Sequence, residues 1–139
     1  MKILMVEDEV LVAMVIHEAL IEAGHEVLGP VRTAGEAVKL ARAVKPDLAL
    51  LNIDLADDSK GTDLARTLRA EFGIPALFVS GSIHEARAAH DAALGYISKP
   101  FSPALLQESV DVVQALVKGA RLDEQRIPAG LTLFQATNS

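Results

Sequence analysis

The chain has 139 residues, no cysteine, no tryptophan and a formal net charge of −6, with a pI near 5.1. That length suits one domain, and the lack of cysteine excludes a disulfide framework, a thiolate metal site and a thiol nucleophile. Acidity with only 4% aromatic residues argues against nucleic-acid binding, and the longest apolar run, Val10 to Ile16, falls well short of the roughly 20 residues a membrane span needs.

Lys2–Val6 reads as a buried first strand that ends in the acids Glu7 and Asp8, too early for a signal peptide's apolar stretch. Glu9 to Ala23 carries helical spacing, stopped by Gly24. Glu26–Val31 is a second short strand, broken by Gly29 and Pro30. Thr33 and Glu36 fit a capping box for a helix over Ala34–Val44, which Pro46 forbids to continue. The run Asp47–Ile53 is nearly all apolar, as a strand covered on both faces should be.

A polar loop, Asp54 to Gly61, precedes a third helix over Thr62–Glu71, and Ile74–Val79 is a fourth strand ending at Ser80. His84–Leu94 is helical in pattern, and Gly95–Ser98 is a short fifth strand. Ser102 as N-cap and Pro103 at the first helical position open a last helix to about Lys118. This alternation predicts an α/β fold: a doubly wound, five-stranded parallel sheet with helices on both faces and its site at the carboxyl ends of the strands. The segment 119–139 is rich in Gly, Pro, Arg and Thr and reads as a tail. A Gly- and Pro-containing terminus is by default a disordered end, and its one apolar cluster, Leu131–Phe134, gives the alternative of docking on its own domain or a neighbour.

Those strand ends carry the residues of interest. Glu7 and Asp8 close the first strand, Asn52 the third, Ser80 the fourth and Lys99 the fifth. Paired carboxylates at such a position suit a hard divalent cation. The bland alternative is that Asp8 caps the first helix while Glu7 is solvated, but a hydroxyl and a lysine at the same rim favour a phosphate or cation site. The four histidines, His17, His25, His84 and His90, have no metal-like spacing and read as surface residues; Asp57 and Asp58 with Lys60 read as a solvated loop.

The ordered set Val6-Glu7-Asp8-Glu9, Pro46 to Ile53, Phe78-Val79-Ser80-Gly81 and Gly95 to Phe101 resembles the receiver domain of bacterial response regulators, over residues 1 to about 118. The resemblance implies strand order 2-1-3-4-5, with Mg²⁺ held by Glu7, Asp8, residue 52 and the backbone carbonyl of Asp54. Ser80 would hydrogen-bond a phosphoryl group, Lys99 would pair with its oxygens across a Lys-Pro bond that is commonly cis, and Tyr96 would be the aromatic switch. It further implies a cytoplasmic, non-enzymatic module of a two-component phosphorelay. Its partners would be a sensor histidine kinase or phosphotransfer protein and a downstream protein. Homodimerisation or output would use the face of the fourth helix, fifth strand and fifth helix, around Tyr96 and Pro103. No output domain is expected after residue 118.

One position departs from the family pattern. Asn52 stands where the phosphoacceptor aspartate belongs, and a carboxamide forms no stable acyl phosphate. A lost carboxylate also weakens the Mg²⁺ site. Three explanations are open: a natural receiver working without phosphorylation, an Asp-to-Asn variant, or Asp54 as a displaced acceptor. The rival functions are a receiver-like scaffold with no phosphate chemistry and a flavodoxin-like cofactor-binding enzyme. The latter would want a Gly- or Ser/Thr-rich phosphate loop where this chain has Glu7-Asp8-Glu9.

Overall fold

In the computed structural model, which describes residues 1–134, one six-stranded sheet runs in the order β2-β1-β3-β4-β5-β6. The strands are β1 Lys2–Val6, β2 Glu26–Val31, β3 Leu48–Leu51, β4 Ala76–Ser80, β5 Gly95–Ser98 and β6 Leu131–Leu133. The first five pair in parallel, and β6 pairs antiparallel with β5. The helices are α1 Val10–Glu22, α2 Ala34–Val44, α3 Gly61–Phe72, α4 Ile83–Ala88 and α5 Pro103–Val117, with a short 3₁₀ turn at Glu124–Arg126.

Side-chain parity divides the core in two. Ile3 and Met5 of β1, Leu48 and Leu50 of β3, and Leu77 and Val79 of β4 pack against α1 and α5. Their neighbours Leu4, Val6, Ala49, Leu51, Ala76 and Phe78 pack against α2, α3 and α4. Each strand alternates its side chains between faces, so a strand covered on both sides has to be apolar throughout.

Local signals account for most boundaries. Thr33 Oγ1 accepts the Glu36 N–H (3.2 Å), while Glu36 Oε1 accepts the Arg32 N–H (3.1 Å), a capping box whose return bond lands one residue early. Ser102 Oγ accepts the Leu105 N–H (3.1 Å) ahead of Pro103. The Gly29-Pro30 pair does not break β2; the strand continues through a register shift opposite Leu4 and Val6. Both Gly29-Pro30 and Lys99-Pro100 are cis.

The five parallel strands take the expected order 2-1-3-4-5 with helices on both faces, and three further expectations need correction. The sheet has six strands, because Leu131–Leu133 leaves the expected tail and joins it; residues 135–139 of that tail lie outside the described residues. The fourth helix ends at Ala88 instead of reaching Leu94. There Asp91 is drawn to α3 by Arg66 (3.3 Å) and by Arg69, which donates to its carbonyl, and Ala92 turns into the core. His25 is buried, its Nδ1 3.1 Å from the N-terminal amine; His17, His84 and His90 are exposed as expected.

Candidate functional site at the carboxyl ends of the strands

The connections leaving β1, β3, β4 and β5 bring Glu7, Asp8, Asn52, Ser80 and Lys99 to one rim. Lys99 Nζ lies 3.0 Å from Glu7 Oε1, 3.0 Å from Glu9 Oε1 and 3.4 Å from Asn52 Oδ1. Burial disfavours the Lys99 ammonium, but the pairings with Glu9 and Glu7 outweigh it and the group titrates above its ordinary value. Burial pushes the Glu7 carboxyl up, and Lys99 with the Glu9 N–H pulls it only part of the way back.

Asn52 is the hub of the rim. Its Nδ2 donates to Asp8 Oδ1 (2.9 Å) and to the Asp54 carbonyl oxygen (2.8 Å), and its Oδ1 faces Lys99. Asp8 therefore does not cap α1. The N-cap is Glu9, which makes no side-chain cap, while its N–H donates to Glu7 Oε2 (3.1 Å). Gly61, at the first turn of α3, lies so close to the Asn52 carbonyl that a Cβ there would collide with it. Residue 61 thus fixes how near α3 comes to the site.

Carboxylate oxygens of Glu7, Asp8 and Glu9 lie within 4.8 Å of one another, so the cluster could coordinate a divalent ion. The Asp54 carboxylate points away from it, 64% exposed and paired with Lys60, which also reaches Glu85 of α4 (3.3 Å). No sequence signal marks this strut from the β3–α3 loop to α4, since Lys60 and Glu85 lie far apart in the chain. Asp57 and Asp58 are solvated, as expected, and Lys60 is turned elsewhere.

Ser80 is buried at the end of β4, where its Oγ accepts the Ser82 N–H (2.9 Å) rather than meeting Asn52 or Lys99. Tyr96 of β5 lies opposite Thr132 of β6, only 5% exposed, with Arg87 Nε 3.3 Å from its hydroxyl and the Phe134 ring 5.8 Å from its own. Hydrogen bonds from Thr132 and Arg87 outweigh burial and hold the phenol below its ordinary value. Pro103 is exposed at the start of α5. Beside the acidic cluster, α1 presents Val10, Leu11 and Met14, each more than 60% exposed, next to a cleft of about 410 Å³ that Glu7 and Asp8 also line.

The family model described as the response regulator receiver domain matches residues 3–111. The chain belongs to that family. It is 37% identical over 126 residues to the phyllosphere-induced regulator PhyR of Methylorubrum extorquens, covering 88% of this chain and 47% of PhyR. Among solved structures, it resembles the receiver domain of a modulated diguanylate cyclase from Desulfovibrio desulfuricans G20. That match has TM-score 0.76 at 30% identity, covering 84% of this chain and 95% of the other. It also resembles the anti-anti-sigma factor PhyR from Bartonella quintana, with TM-score 0.66 at 32% identity, covering 76% and 44%.

The chain spans about half the length of the curated relatives it matches. As a receiver it is a signalling module of two-component systems and not an enzyme. Among the described residues, no helix is long and apolar enough to cross a membrane.

Proposed function

We propose that this receiver signals through protein contacts without accepting a phosphoryl group at residue 52, its rim being held together by the Asn52 amide. The observation that carries this reading is the pair of hydrogen bonds from Nδ2 to Asp8 Oδ1 and the Asp54 carbonyl. Those two oxygens belong to the set expected to ligate Mg²⁺. A cation entering there has to displace both N–H donors and gains no charge from residue 52, so Mg²⁺ binding is weak. The carboxamide nitrogen is delocalised into its carbonyl and is no nucleophile, and the Asp54 carboxylate faces Lys60. Glu7, Asp8 and Lys99 then serve as a charge cluster that fixes loop positions, with Ser80 and Tyr96 retained from the switch.

The partner side of the proposal rests on the exposed apolar residues of α1 beside the acidic rim. A sensor histidine kinase or phosphotransfer protein docking there would be occupied without receiving a productive acceptor, and a downstream protein would read the resulting occupancy. The same cytoplasmic pathway class is suggested by the likeness to the PhyR regulators.

The decisive experiment adds Mg²⁺ with beryllofluoride or acetyl phosphate to this chain and to Asn52→Asp, following intact mass and the fluorescence of Tyr96, the sole tyrosine in a chain without tryptophan. The expected result is a response in Asn52→Asp alone. A phosphoryl adduct or an optical change in the parent chain would overturn the proposal. Silence in both would leave a phosphate-independent scaffold whose inertness does not come from residue 52.

A further inference from the structure

We propose that β6 is a built-in strap over the outer edge of β5, which keeps Tyr96 covered and prevents a second copy of the chain from pairing along that edge. The inference is independent of the chemistry at residue 52.

A parallel sheet ends in a strand whose outward N–H and C=O groups lack partners, and an exposed edge of that kind is a template for another chain. Here Leu131, Thr132 and Leu133 lie opposite Ile97, Tyr96 and Gly95, and the Phe134 N–H adds a bond to the Leu94 carbonyl (2.8 Å). The fit is written into both sides. A Cβ on Gly95 would collide with the Thr132 carbonyl oxygen, a backbone atom that cannot step aside, and a Cβ on Gly130 would collide with Leu105 of α5. Phe134 fills the room left where α4 stops early, edge-on to His90 (6.3 Å) and tilted against Tyr96 (5.8 Å).

The strap is also built to be small. Three paired residues, the Phe134 bond to Leu94, one aromatic ring and the buried Leu131 side chain hold it, and it is tethered through residues 117–126, all solvent-exposed. Once it leaves, the edge of β5 has the same sequence and geometry in every molecule. Two copies can therefore meet symmetrically about a two-fold axis. A second copy is the occupant to expect.

The test uses the full chain, reading molar mass by light scattering and acrylamide quenching of Tyr96. The parent is expected to be monomeric with Tyr96 protected, and a parent dimer overturns the proposal. Gly95→Ala, which leaves the acidic rim untouched, should raise the quenching constant severalfold, and a Tyr96 as protected as in the parent overturns the proposal. Phe134→Ala loosens the strap without altering β5, so it should raise the quenching constant and double the mass. Unchanged quenching there, or a chain that stays monomeric, overturns the proposal, also where Gly95→Ala loses its circular-dichroism signal.

Discussion

The Asn52 side-chain nitrogen stands 2.9 Å from Asp8 Oδ1, so residue 52 donates to a carboxylate that an aspartate in its place would oppose. In Asn52→Asp the same place holds an acceptor facing two acceptors, Asp8 and the Asp54 carbonyl. Leaving such groups without donors costs about 1–3 kcal/mol. We expect Asn52→Asp to melt below the parent in chelator and to be raised by Mg²⁺, with the parent indifferent to Mg²⁺. Equal Tm values in chelator would show that the amide bonds contribute nothing to stability.

Lys99 is the counter-charge for a carboxylate that is nearly out of solvent. Glu7 has a side-chain exposure of 1% and Lys99 of 15%. Removing one member of such a pair strands the other and costs about 3–5 kcal/mol, whereas removing both is far cheaper. Lys99→Met should therefore lower stability strongly in urea titration, and Glu7→Gln combined with it should recover much of the loss. Additive losses in the double variant would argue against their coupling.

Gly61 has a steric role that its ordinary helical conformation hides. A methyl group there has to push against the Asn52 backbone, and overpacking of this kind costs about 1–3 kcal/mol. Gly61→Ala should destabilise the fold and shift the Asn52 amide resonances in a ¹⁵N spectrum. Gly35, whose added Cβ meets nothing within 4 Å, is the control: Gly35→Ala should do neither.

The single tyrosine makes its environment readable by titration. Hydrogen bonds from Thr132 and Arg87 favour the phenolate, so Tyr96 should ionise below the ordinary 10.0 in the native state. Across that window the native chain binds fewer protons than the unfolded one. This group's contribution to stability therefore rises with pH, is complete above 10.0, and is lost as pH falls through the native pKa. Thr132→Val should move the near-ultraviolet absorbance midpoint upward. A midpoint unmoved by that change would mean that Thr132 does not set it.

The strand ends were legible because a buried parallel strand is apolar until it stops, and the polar residue that follows is conspicuous. Glu7, Asn52 and Lys99 could be placed at one rim from that alone. What the amide of Asn52 touches was not legible, since Asp8 is 44 positions away and no pattern in the sequence pairs the two side chains. The fourth helix was read too long because Ala89–Leu94 contains no breaker; Arg66 and Arg69 of α3 end it from outside. β6 was hidden for the opposite reason. Three residues among Gly and Pro carry no periodicity, and their strand character comes from the edge they meet. His25 was misread because burial against the chain's own amine leaves no pattern.

β6 also has a place in time. A chain elongating from its N-terminus completes the 2-1-3-4-5 sheet well before residue 131 emerges. Synthesis proceeds at about 5–20 residues per second, and domains fold as units while it does. Between the closing of β5 and the arrival of Leu131–Leu133, neighbouring nascent chains on one message would therefore meet with their sheet edges bare. The last described strand is in that sense the chain's own chaperone, delivered after the fold it protects.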